Sequence, residues 1–153
     1  MLFAFTFSSA QNLIDDNDIS ENIKDLNRPN VRYTLKNPLE FYRLKCTTAN
    51  YAQFSGGENA FKNELYLNLE SYLRTGFYSV NGTFELILTV SKTGLIQKVE
   101  LKPEVQNSNL LQRDLELALK QMNSKFTPAT CEGTPIDSRL RQKIDFHTDA
   151  VDI

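Results

Sequence analysis

An α+β fold is predicted, a small three-stranded antiparallel sheet with two helices packed on one face, and three features of the sequence predict it. Two alternating stretches meet at a tight turn within residues 82–101, two apolar stripes of helical period flank that pair, and a last alternating stretch follows at 138–147. At 153 residues and 41% hydrophobic content, the chain suits one domain with a modest core.

In chain order, Leu2-Phe3-Ala4-Phe5-Thr6-Phe7 forms a short apolar run that ends in Ser8-Ser9-Ala10. That reads as the back half of a secretory signal without its basic start, a reading favoured over a buried N-terminal strand by the small-residue ending. Residues 1–10 are therefore read as a truncated signal peptide and 11–50 as a polar extension. Asp15, Asp16, Asp18, Glu21 and Asp25 make the start of that extension acidic, and Ile19, Ile23 and Leu26 have helical spacing. Further on, Val31, Tyr33 and Leu35 alternate, Pro38 interrupts, and Phe41, Tyr42 and Leu44 resume, which predicts one or two short extended pieces.

The domain proper is expected over 51–148, with a tail at 149–153. Phe61, Leu65, Leu69 and Tyr72 or Leu73 place one apolar stripe on a helix over 58–74, stopped by Thr75-Gly76. Next, Phe84, Leu86, Leu88 and Val90 alternate with Glu85, Ile87 and Thr89, the period of a strand with one face on a core. Ile87 on the other face implies partial cover or a contact surface. Residues 91–94 turn the chain, with Gly94 suited to a positive φ. Leu95, Gln97, Val99 and Leu101 are then expected inward, and Ile96, Lys98 and Glu100 outward. A second helix over 110–125 carries Leu111, Leu115, Ala118, Leu119 and Met122 on its buried stripe, with Ser108 or Asn109 as cap. In the last strand Leu140, Gln142, Ile144 and Phe146 face inward, while Arg139, Arg141, Lys143 and Asp145 face outward and suit an exposed edge.

Composition narrows the partners. With 17 basic and 19 acidic residues the net charge is −2, so no strong field draws nucleic acid or anionic lipid. No stretch approaches the roughly 20 apolar residues that span a bilayer. The two cysteines, Cys46 and Cys131, either pair in an oxidising compartment or are two buried thiols; paired, they would add about 4 kcal/mol in the chain-entropy model.

No catalytic constellation emerges. His147 is the single histidine and has no nucleophile in a recognisable context, so it reads as solvated or packed. Asp15, Asp16 and Asp18 lack the glycine and the distal glutamate of a calcium loop, and no metal or other cofactor is expected. Gly56-Gly57 precedes a helix without the Lys, Ser or Thr of a phosphate loop, and Asn81-Gly82-Thr83 reads as a turn rather than a glycosylation site.

Phe54-Ser55-Gly56-Gly57-Glu58-Asn59-Ala60-Phe61, Asn81-Gly82-Thr83, Lys92-Thr93-Gly94, then Met122, Phe126, Pro128-Ala129, Gly133 and Pro135 form an ordered set. In it the chain resembles the C-terminal domain of TonB, especially the TonB-like proteins of Bacteroidetes, over about 51–147. The Ala10-Gln11 end of the leader also looks like signals of that phylum. The resemblance implies a periplasmic, non-enzymatic module whose final strand pairs with an extended segment of an outer-membrane transport receptor. Here that edge strand would be Arg139, Leu140, Arg141, Gln142, Lys143, Ile144 and Asp145. Two features depart from the family's energy transducers, which carry a transmembrane helix and a long Pro-rich linker, whereas this chain has 5 prolines and no span. Phe126 also stands where the family often has Trp.

Two functions follow. The first is the receptor-binding module just described, in which changes within 138–147 should spare the fold and alter binding. The alternative is an accessory assembly or cell-wall-binding protein of the envelope, dimeric through the same edge, which would give the extension a use.

Overall fold

The computed structural model describes residues 30–73, 78–123 and 125–149. The expected leader, the acidic stretch up to residue 29 and the tail beyond Asp149 lie outside them. The order is β1 (Asn30–Thr34), β2 (Glu40–Phe41), β3 (Ala49–Asn50), β4 (Gln53–Phe54), α1 (Gly57–Leu73), β5 (Gly82–Val90), β6 (Ile96–Lys102), α2 (Asn109–Lys120), β7 (Phe126–Thr127), β8 (Ala129–Cys131), β9 (Thr134–Ile136) and β10 (Ser138–Asp149).

This overturns the expected fold class. Among the described residues the protein is mostly β, with ten strands in a five-stranded, a three-stranded and a two-stranded sheet, and only two helices. The three long strands and both helices stand where periodicity puts them; what the α+β reading lacked is everything added around them. Six of the ten strands are two or three residues long. So short a piece cannot display a period of two, and only its tertiary partner makes it a strand. Nor are residues 30–50 an appendage, since β1 and β2 join the main sheet and β3 joins the smaller one.

The main sheet is antiparallel throughout, in the order β1-β10-β5-β6, with β2 also on β10. The inner face of β10 carries Leu140, Gln142, Ile144 and Phe146, all buried, against Leu86 and Leu88 of β5 and the stripes of both helices. On α1 the stripe is Phe61, Leu65, Leu69 and Leu73, and Tyr72 is only partly buried. The 24 buried apolar residues of this core among the described residues include residues of both helices and of all three long strands. At one end Phe54, Phe61 and Phe126 meet edge to face, with centroids 5.1 to 5.9 Å apart. There β4 pairs with β7 and fastens the start of α1 to the chain leaving α2.

The second strand of the hairpin departs from the simple alternation. Leu95 is 46% exposed and Ile96 is 4% exposed, the reverse of the expected phase. A register irregularity between Thr89 and Val90 pairs Val90 with Ile96, so one extra residue is absorbed beside the turn and Gln97 moves to solvent. A bulge of this kind shifts the side-chain phase on one side of it and keeps Val99 and Leu101 inside. Ile87 is buried on the outer face, in register between Arg141 of β10 and Glu100 of β6.

The second helix stops at Lys120, short of the expected 125, and the chain then makes tighter turns from Met122 N–H to Leu119 and from Asn123 N–H to Lys120. Ser108 sits at its start without making a side-chain cap. Asp114 is buried on this helix, an outcome apolar spacing could not show. It accepts hydrogen bonds from the Tyr78 hydroxyl at 2.9 Å and the Arg113 guanidinium at 3.1 Å, and that partnering makes a buried carboxylate tolerable. Burial and this acidic partner hold the Tyr78 phenol well above its usual range.

Cys46 and Cys131 are joined by a disulfide. It fixes the stretch before β3 to the small hairpin β8–β9, where β3 pairs with β8 and Glu132 N–H donates to the Thr48 carbonyl.

Candidate functional site

The strand expected to be an open edge is interior to the sheet. β10 pairs with β5 from Ser138 to Phe146 on one side. On its other side it pairs with β2 at Leu140 and Arg141 and with β1 from Asp145 to Asp149. Between those two contacts residues 35–39 leave the ladder, and the buried Gln142 amide donates to the Asn37 carbonyl at 2.9 Å. The chain's own residues 30–41 thus lie along the edge that Arg139, Leu140, Arg141, Gln142, Lys143, Ile144 and Asp145 were expected to offer. The fold needs this: β5 and β10 share the core, so a substitution such as Ile144→Pro strikes a fully buried position and would unfold the protein.

The outward charges of β10 are also engaged within the chain. Arg141 binds Glu40 of β2 and reaches Glu85 of β5 at 3.2 Å. Arg139 lies 4.6 Å over the Tyr42 ring and 3.6 Å from Glu100. Lys143 stands opposite Glu85 in register, and Asp145 accepts from Thr83 at 2.6 Å. They form a cross-strand charge lattice.

Two carboxylates hold the 39–41 stretch. The Arg141 hydrogen bond holds the Glu40 carboxyl below the usual 4.5, and the hydrogen bond from Leu39 N–H does the same for Glu58. Both contacts are fully present above the ordinary glutamate value and are lost as pH falls through the lowered one. Acid is therefore expected to release this stretch before the core. Amide exchange should show Leu39 losing protection as pH falls below the ordinary glutamate range while Leu86 and Leu88 keep theirs, and simultaneous loss would refute the assignment.

With β10 enclosed, the sheet among the described residues ends at β1 and β6. The β6 edge is covered in part: Gln112 of α2 donates to the Val99 carbonyl at 2.8 Å, and Lys98, Lys102, Glu100 and Glu104 crowd around it. Charges at an edge discourage pairing. The β1 edge is different. Among the described residues no strand pairs with its outer side, and it borders an open groove of about 700 Å³ between β1 and α1. Val31, Tyr33, Tyr66, Leu73 and Phe146 supply the apolar lining, with Arg32, Glu70, Asp145 and His147 at the rim. A second hollow of about 580 Å³ continues along the same seam past Tyr33, Thr34 and Tyr66 to Lys36, Asn59 and Lys62. Tyr33 crosses the seam floor, its hydroxyl donating to the Tyr66 carbonyl and its ring 5.0 Å from that of Tyr66. Burial, then Tyr66 and Glu70, hold its phenol well above the usual range, so it stays a neutral donor.

Periodicity did not point to this groove, because it lies beside the helix stripe. The one available signal was Tyr66-Leu67, two large apolar residues off the buried face of α1, 47% and 63% exposed.

Other candidates contribute less. His147 is exposed, with Nε2 3.4 Å from Asp149, and no nucleophile accompanies it. Gly56 and Gly57 both take positive φ, and the Glu58 carboxylate that follows occupies the start of α1, where it would repel an anion. Among the described residues no group of three or more His, Cys, Asp or Glu is placed to hold a metal ion. Nor is any helix among them long and apolar enough to cross a membrane. Comparison with protein-family models, with curated proteins and with solved structures returns no match for this chain.

Proposed function

We propose that this chain is a non-enzymatic protein-binding module of the bacterial envelope, which takes an extended segment of an outer-membrane transport receptor as an added strand. The observation that carries the proposal is the backbone edge of β1, which no strand among the described residues covers, beside the open groove against α1. A strand bordered by a helix is a recurrent peptide site, in which main-chain hydrogen bonds supply affinity and alternate side chains enter the groove. The receptor segment is thereby assigned to β1 rather than to the enclosed β10. Export agrees with the Cys46–Cys131 disulfide, which an oxidising compartment would maintain.

The test uses peptides from the periplasm-facing segments of outer-membrane transport receptors and isotope-labelled protein. A binding peptide should shift the amides of residues 30–36 and the α1 residues around Tyr66. N-methylation of alternate peptide nitrogens should abolish binding with the side chains unchanged, because an added strand depends on those N–H groups. Shifts confined to β6 or to the outer sheet face, or indifference to N-methylation, would overturn the proposal. A concentration-dependent dimer that shifts the same amides without peptide would favour the assembly role instead.

A further inference from the structure

The seam between β1 and α1 is electrically asymmetric, and its polarity specifies the partner. This inference rests on the strand-addition reading above and concerns what that strand must look like. At the end reached by residue 36, Lys36 and Lys62 line the hollow and no carboxylate does. Glu58, which meets Lys62 at 3.5 Å, is directed to Leu39 N–H. At the end reached by Asn30, the exposed Glu70 stands in the mouth, while Arg32 is drawn to Asp149 at 2.6 Å; Asp145 lies opposite Thr34 and is held on the outer sheet face by Thr83. The dipole of α1 adds in the same sense, positive toward Asn59 and negative toward Leu73. Between the ends, Tyr33 and Tyr66 make an aromatic floor.

The dimensions set the spacing. Lys62 and Glu70 are eight helical residues apart, roughly 12 Å along the axis. An extended chain covers roughly that distance in about four residues, and positions an even number apart point to the same side. Every pairing in the sheet is antiparallel, so an added strand runs from the lysine end toward Glu70.

We infer that the partner is an extended segment with an acidic residue, an apolar residue two positions later, and a basic residue two positions after that. The acid meets Lys36 and Lys62, the apolar side chain lies over Tyr33 and Tyr66, and the base meets Glu70.

Two fluorescent eight-residue peptides test this, one with Asp-Thr-Val-Thr-Lys at its centre and one with Asp and Lys exchanged. The first should bind at least about tenfold more tightly, and raising the salt should shrink the difference. In the Lys36→Glu/Glu70→Lys variant the preference should reverse; both positions are exposed, and circular dichroism confirms that the variant folds. Equal binding of the two peptides at the β1 amides would overturn the polarity and leave strand addition standing. A preference that the variant does not reverse would also overturn it. Failure of both peptides and of the receptor panel to shift those amides would overturn both readings.

Discussion

Replacing Gly94 by alanine is expected to destabilise the protein by about 2–5 kcal/mol, a large loss for a single methyl group. Gly94 closes the 91–94 turn with φ +85°, a region in which a Cβ is disfavoured in any surroundings. The added Cβ would also lie 2.4 Å from the Phe126 carbonyl oxygen, a backbone atom that cannot swing aside. Relief would require either the hairpin turn or β7 to move. The turn is tightly held, with Gly94 N–H bonded to the Ser91 carbonyl, Lys92 N–H to Asp137 and Ile96 N–H to Asn123. On the other side Phe126 is wedged between Phe54 and Phe61. Gly133 is the control: its φ is +83°, yet nothing lies within 4 Å of an added Cβ. Gly133→Ala should therefore cost only the conformational part, about 1–2 kcal/mol. Urea unfolding of the two variants measures both, and equal losses would show that close approach to Phe126 is not what selects glycine at 94.

Removal of the Cys46–Cys131 disulfide carries the other large effect, about 4 kcal/mol with a usual range of 2–5. The bridge spans 85 residues of sequence, so without it the unfolded chain regains a large amount of conformational freedom. Its loss also frees the stretch before β3, which is otherwise tied to β8 by short pairing. A Cys46→Ser/Cys131→Ser variant should unfold at markedly lower urea, and reductant should bring the native protein toward it without affecting the variant. An unchanged midpoint would mean that the surrounding pairing already restrains the unfolded chain.

These two sites show what was legible in advance and what was not. Gly94 was recognisable as a turn glycine from the residues around it, but its contact with Phe126 was not, because 32 positions separate them in the chain. The cysteines were visible as a possible pair, and which alternative held depended on whether folding brought positions 46 and 131 together. For the candidate site the gap is wider. The residues of β10 were read with the correct faces, since alternation records burial, but alternation does not record how many neighbours a strand has. Charges at Arg139, Arg141 and Lys143 look alike on an open edge and on the outer face of a central strand. Here Glu40, Glu85, Glu100 and Tyr42 accompany them, and two of these four come from a segment expected to be an extension.

By itself, then, the sequence determined the parts that repeat locally: two amphipathic helices, the 82–101 hairpin and a last strand with an apolar inner face. Burial of one side chain in two, or of one stripe on a helix, is written into residue spacing because the core selects each position separately. Only the tertiary structure decided the sheet order, the bulge that brings Ile96 inward, and the course of residues 30–41 along β10. It also decided that, among the described residues, no strand covers the outer side of β1, which borders a groove with Tyr66 and Glu70 of α1. Those outcomes depend on hydrogen bonds between backbones distant in sequence, and backbone groups are nearly the same at every residue, so side-chain spacing carries almost no record of them.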